Sequence, residues 1–267
     1  MTDASPANAP SERPQTVILL GASNLARAFP AWFGLLRGGC SGPLDLMIAM
    51  GHGRSYGQPS RILGRGLPGI SQCGLWDQLD RVQPGRRPLA LVTDLGNDLM
   101  YGVSAEQLLD WLNLSLQRLT DLNSDTVLLS LPMTTLAQLT PRRFEVLRRV
   151  LFPRHDRTWP ELWQQIERLD AGMRALSQRH QTHWAEASPD WYGWDHIHIR
   201  HGAQSMVFRQ LFRPWQGWQD PAGPVKIGLY DAWSLRCLRP AERDWFGHPQ
   251  RTLQPAYHRP NTRIFLF

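Results

Sequence analysis

Four short stretches hold residue types that can do covalent chemistry. They are Gly21-Ala22-Ser23-Asn24, Gly51-His52-Gly53-Arg54-Ser55-Tyr56-Gly57, Asp94-Leu95-Gly96-Asn97-Asp98, and Asp190 to His198 (DWYGWDHIH). Together they contain the parts of acyl transfer. A serine hydroxyl is a poor nucleophile until a histidine takes its proton. That histidine needs a carboxylate to fix its tautomer and stabilise its charged form. The tetrahedral intermediate needs donors aimed at its oxyanion, which a glycine amide and an asparagine side-chain amide can provide. A serine, a glycine-rich turn, an asparagine and an Asp/His pair fit those places.

These residues need elements that bring them to one place. Each stretch follows an apolar run: Thr16–Leu20, Leu44–Ala49, Leu89–Thr93 and, more weakly, Thr182–Ala185, with a further run at Thr126–Leu131. The first runs are continuous rather than alternating, as in strands buried on both faces of a parallel sheet. Between them lie helical patterns. Leu25, Phe29, Trp32, Phe33 and Leu36 recur at helical spacing, with Pro30 placed to kink or delay the helix. Ser104 to Leu119 opens with a cap signature, and Pro141–Phe152, Trp159–Gln178 and Gly202–Phe212 also read as helices. Alternating strands and helices imply a three-layer α/β/α fold, with a flavodoxin-like parallel sheet of about five strands. In such sheets ligands collect at the carboxyl ends of the strands, where all four stretches fall.

Each residue has a structural alternative. Ser23 can be a helix N-cap, Asn97 a turn residue, Asp195 a cap and His198 a core histidine. Ser55 sits in a literal Gly-x-Ser-x-Gly, but the elbow of that pattern runs straight into a helix, and here Gly57, Pro59, Gly64 and Gly66 follow. Asp195, His196, His198 and His201 are dense enough for a metal site. That reading leaves Ser23 and Asn97 idle, so no metal is expected. Trp191, Tyr192 and Trp194 serve equally well as a pocket wall or as core.

The bulk composition narrows the class. The chain has 267 residues, 42% hydrophobic, with a formal charge of +6. Arginine carries nearly all the positive charge, since Lys226 is the only lysine. No dense basic run or zinc-finger spacing accompanies it, so no nucleic-acid partner is expected. Three widely spaced cysteines give no disulfide framework. No apolar run approaches the roughly 20 residues of a membrane span. Residues 1–15 are polar, rich in Ala, Pro and Ser, and read as a disordered tail rather than a signal peptide. A cytoplasmic protein is the expectation. Residues 16–213 form the main domain. Residues 214–267 are rich in Pro, Trp and Arg, with extended runs at Val225–Tyr230 and Ile264–Phe267. They read as an extension whose aromatic side chains pack on the domain or on a partner, which includes a second copy of the chain in a homo-oligomer.

The order Gly-x-Ser-Asn, glycine turn, Gly-Asn-Asp and Asp-x-x-His resembles blocks I, II, III and V of the SGNH (GDSL-like) hydrolases over about residues 16–212. The resemblance implies Ser23 as nucleophile, with its amide in the oxyanion hole. It implies Asn97 as the side-chain donor, Gly53 or Gly57 as the block II donor, and Asp195 with His198 as the base pair. It implies a small-molecule ester or acetylated substrate and no cofactor. Ala22 stands where an acidic residue is usual, the block II asparagine is missing, and His196 is unusual for block V. These departures leave open a second reading, a binding or scaffolding protein that kept the fold and lost turnover.

Overall fold

The computed structural model describes residues 13–82, 84–151, 157–223 and 227–267. The expected tail, 1–15, lies almost wholly outside them, and Gln15 already belongs to the first strand. The central sheet contains β1 (Gln15–Leu20), β2 (Leu44–Ala49), β5 (Leu89–Val92), β6 (Asp125–Leu129) and β7 (His183–Ala185), all parallel, in the order β2-β1-β5-β6-β7. These are the five expected strands. Two more extend the β2 edge. β11 (Thr262–Leu266) runs parallel to β2, and β10 (Tyr257–Arg259) closes the edge antiparallel to β11. A separate four-stranded antiparallel sheet joins two hairpins, β3 (Ser60–Ile62) with β4 (Arg65–Leu67), and β8 (Glu242–Trp245) with β9 (His248–Arg251).

Side chains of successive strand residues point to opposite faces, so each central strand feeds two cores. Val17, Leu19, Leu46, Ile48 and Leu91 pack with α2 (Phe29–Gly39), α9 (Gln204–Phe212) and Leu235 of α10 (Leu229–Arg236). Ile18, Leu20, Met47, Ala90 and Val92 pack with α3 (Leu75–Val82), α5 (Ala105–Asp121) and α8 (Trp159–Arg179). The layers are therefore α/β/α. A helical turn, α1 (Ser23–Arg27), precedes α2 and is separated from it at Ala28, with Pro30 in the first turn of α2, where its missing amide costs nothing. Ser104 caps α5 by accepting the Gln107 amide at 3.2 Å. Three further helices are α4 (Asn97–Met100), α6 (Met133–Leu136) and α7 (Pro141–Leu151). No described helix is long and apolar enough to cross a membrane.

The last fifty residues depart from expectation in two ways. The extended run at Val225–Tyr230 is helical from Leu229 onward, while Val225 and Lys226 fall outside the described residues. The aromatic side chains divide. Trp215, Phe265 and Phe267 are buried, whereas Tyr230, Trp233, Trp245 and Phe246 are exposed. What holds the chain end is polar as well as apolar. Arg263 forms a fork on Asp45 of β2, a carboxylate buried beneath it, with Nε at 2.7 Å from Oδ1. The Phe267 amide donates to Ile48 at 2.8 Å, and the fully buried Arg54 donates to the Phe267 carbonyl oxygen. Removing residues 255–267 strips the β2 edge and leaves Arg54 and Asp45 as buried charges without these partners, a loss that costs about 3–5 kcal/mol for a buried pair. The truncated protein should melt lower in calorimetry and associate in gel filtration. Unchanged melting and size would contradict this account of the chain end.

Candidate active site

The crevice lies where chain connections diverge, between β1 and β5. β1 is followed by a connection toward β2 on one side, and β5 by one toward β6 on the other. At the end of β1, Gly21 packs so closely on β5 that a Cβ would sit 2.7 Å from the Thr93 side chain. Two residues later Ser23 opens α1. At the end of β5, Asp94 takes a left-handed backbone conformation (φ 65°), which costs a non-glycine residue roughly 1–2 kcal/mol. The carboxylate so aimed receives the amides of Ala22 at 2.8 Å, Asn24 at 3.1 Å and Leu25 at 3.3 Å. Hydrogen bonds to a charged group contribute about 1.5–3 kcal/mol each, so the clamp outweighs the strain. A carboxylate therefore reaches this turn although position 22 is alanine. The Ser23 amide is not among the donors to it.

Asn24 carries the clamp across to the Asp195–His198 loop. Its Nδ2 donates to Asp94 Oδ1 at 2.8 Å and to the Ile197 carbonyl at 3.0 Å, and its Oδ1 accepts the Ile199 amide at 2.8 Å. The loop also closes on itself, since Gly193 donates to the His198 carbonyl and Arg200 to that of Trp191. Asp195 Oδ1 accepts the His198 amide at 3.0 Å, and its Oδ2 lies 2.7 Å from His198 Nδ1. His198 Nε2 lies 3.1 Å from Ser23 Oγ. Serine, histidine and carboxylate thus form one continuous chain. Partial burial alone would raise the Asp195 carboxyl, but the ring, charge and amide of His198 and the Ile197 amide outweigh it and hold it below the usual carboxylate value. His196 is buried elsewhere in the loop, left-handed (φ 63°), with neither ring nitrogen bonded. Among the described residues no group of three or more His, Cys, Asp and Glu side chains is arranged to hold a metal ion.

Asn97 begins α4. Its Nδ2 is buried without a hydrogen-bond partner, in the same cavity wall as Ser23. The two candidate glycines of the second stretch separate. Gly57 donates its amide to Ser55 Oγ at 3.2 Å, and a Cβ there would sit 1.8 Å from the Trp111 ring. The Gly57 amide is thus engaged by Ser55, and its Cα is crowded by Trp111. Gly53 has φ 58°, and its carbonyl accepts Tyr101 Oη at 2.6 Å, which leaves its amide free of that bond.

Ser55 is fully buried, and its hydroxyl donates to Asp98 while accepting the amides of Gly57 and Gln58. It fastens the glycine loop to α4, and thus to Asn97. Tyr56 ties the same loop to both strand ends, with Oη 2.6 Å from the Thr93 carbonyl and 3.3 Å from that of Leu20. Asp94 and Asn24 stand in two of the candidate stretches, but no spacing in the sequence marks them as partners. Of the three aromatic residues near Asp195, Trp191 is core, Tyr192 lines the cavity and Trp194 is exposed.

No protein-family model and no curated protein matches the sequence. The chain is similar to solved esterases and GDSL-like lipases. One is a psychrotrophic esterase from a Pseudoalteromonas species, 15% identical, covering 75% of this chain and 96% of that one, with a TM-score of 0.45. Another is a GDSL-like lipase from Bacteroides thetaiotaomicron, 10% identical, covering 74% and 86%, with a TM-score of 0.44. A third is a carbohydrate esterase from Talaromyces cellulolyticus, 12% identical, covering 73% and 93%, with a TM-score of 0.40.

Burial pushes the Asp98 carboxyl up to about 6, against the pull of its bonds from Ser55 and the Tyr56 amide. A value raised by folding means the native state holds this proton more tightly than the unfolded chain. The stabilisation is complete below the ordinary value of 3.8 and is lost as the pH rises through about 6. Asp98→Asn cannot titrate. The melting temperature of the wild type relative to this variant should therefore fall between pH 4 and 7 by thermal scanning. Parallel profiles would contradict the assignment.

Proposed function

We propose that the protein is a serine hydrolase that cleaves a carboxylic ester through a seryl acyl-enzyme. The observation that carries this reading is the chain Asp195–His198–Ser23, at 2.7 and 3.1 Å, beside a buried and unpaired Asn97 amide in one cavity. An orphaned buried donor costs about 1–3 kcal/mol, a cost that an oxyanion bound there would remove.

Ser23 Oγ attacks the acyl carbonyl carbon as its proton passes to His198 Nε2. Asp195 holds the ring through Nδ1 and stabilises the imidazolium. The carbonyl oxygen takes the negative charge and receives hydrogen bonds from Asn97 Nδ2 and the amides of Ser23 and Gly53. Collapse of this intermediate breaks the bond to the alcohol, which leaves with the proton from His198. Water then repeats the sequence, giving up its proton to His198 and displacing Ser23 from the acyl group. No cofactor enters the balance. Asp94 supports this reading over an inactive scaffold, because it brings to the serine turn the carboxylate that Ala22 cannot.

With p-nitrophenyl esters, Ser23→Ala and His198→Ala should each lose on the order of 10⁴-fold in kcat or more, and the double variant no more than either. Asn97→Ala should lose about 10²–10³-fold while binding substrate normally. A His198→Ala enzyme with near-normal kcat, or losses that multiply in the double variant, would overturn the assignment.

A further inference from the structure

The cavity that begins at Ser23 does not end there. It has a volume of about 130 Å³ and continues between the ends of β5 and β6 and the helices α6, α7 and α8. Its far walls are Leu131, Leu136, Leu139, Phe144, Leu162 and Ile166. Among the described residues the ionisable groups in its lining are Asp94, Asp195 and the Tyr192 hydroxyl; the two carboxylates are engaged, one in the serine turn and one on His198. Among the described residues these far walls offer no polar side-chain atom, and an unpaired polar group placed against them would be costly. A pocket walled by aliphatic and aromatic side chains accepts apolar guests.

We infer that this cavity is the binding site for the acyl chain of the substrate, and that the chain is linear, aliphatic and of medium length rather than acetyl. The inference rests on the preceding reading of Ser23. Its direction follows from the proton transfer. The leaving oxygen must lie within reach of His198 Nε2, and His198 is not part of the cavity wall, whereas Asn97 is. The carbonyl oxygen on Asn97 and the departing alcohol on the His198 side place the acyl chain in the cavity. An acetyl group would reach the oxyanion donors and leave the apolar walls unfilled.

Each methylene moved from water into such walls should raise kcat/KM about three- to fourfold, since binding of the chain is expressed in the transition state. Across a series of p-nitrophenyl esters, octanoyl should exceed acetyl by on the order of 10³. Acetates of lengthening alcohols should show no such gradient. Leu162→Trp, which fills the cavity, should lower the octanoyl-to-acetyl ratio at least about 30-fold, and the milder Leu139→Phe should lower it less, with folding of both checked by melting temperature. Calorimetry with octanoate on Ser23→Ala supplies a readout that needs no turnover. Octanoate should bind, acetate should not, and adding Leu162→Trp should abolish the binding. An active enzyme that prefers acetyl, or whose gradient follows the alcohol, overturns the inference. If no ester is cleaved, the hydrolase reading fails, and octanoate binding alone decides the cavity: binding blocked by Leu162→Trp upholds an acyl-chain site, and absence of binding overturns it.

Discussion

The site depends on one half-buried carboxylate. Asp94 sits in a backbone conformation that disfavours any side chain, and three amides with the Asn24 side chain hold it there. The balance favours the clamp by several kcal/mol, since the strain is about 1–2 and each charge-assisted bond about 1.5–3. Through Asn24 the same carboxylate fixes the Ile197 and Ile199 backbone, and with it the ring of His198. The 3.1 Å contact between His198 and Ser23 is therefore set by a polar bridge that touches neither the ring nor the hydroxyl.

A second set of contacts holds the opposite wall. Ser55, Asp98 and Tyr56 lash the glycine loop to α4 and to the strand ends. Arg54 in that loop reaches the Phe267 carbonyl oxygen, so the strand that completes the sheet edge also anchors the loop bearing Gly53. Position within the sheet links the chain end to the chemistry, although the two are far apart in sequence. Asp94 and Asn24 of the clamp also line the cavity, whose apolar part extends against α6 to α8.

Much of this was legible from residue order. Thr16–Leu20 and the other continuous apolar runs announced strands buried on two faces, and they are. Ser23, Asn97, Asp195 and His198 each followed a strand, so their convergence needed only the parallel topology. What stayed hidden depends on distant partners. Asn24 bonds to residues 173 and 175 positions away, and no local pattern encodes that. Gly53 and Gly57 were indistinguishable until Trp111 of α5 proved to occupy the space beside Gly57. The hairpins β3–β4 and β8–β9 are three or four residues each and mostly polar, too short for an alternation to show. In Val225–Tyr230 the apolar residues 225, 227 and 229 alternate with Lys226 and Gly228, a pattern that reads as extended, whereas helix α10 begins at Leu229.

The central claim is that the Asp94–Asn24 bridge makes Ser23, and not the buried Ser55, the activated serine. Covalent labelling with a fluorophosphonate, followed by peptide mapping, tests it most directly. The account predicts a single adduct on the peptide containing Ser23, formed much more slowly in Asn24→Ala. An adduct on Ser55, or none on a folded protein, would contradict it.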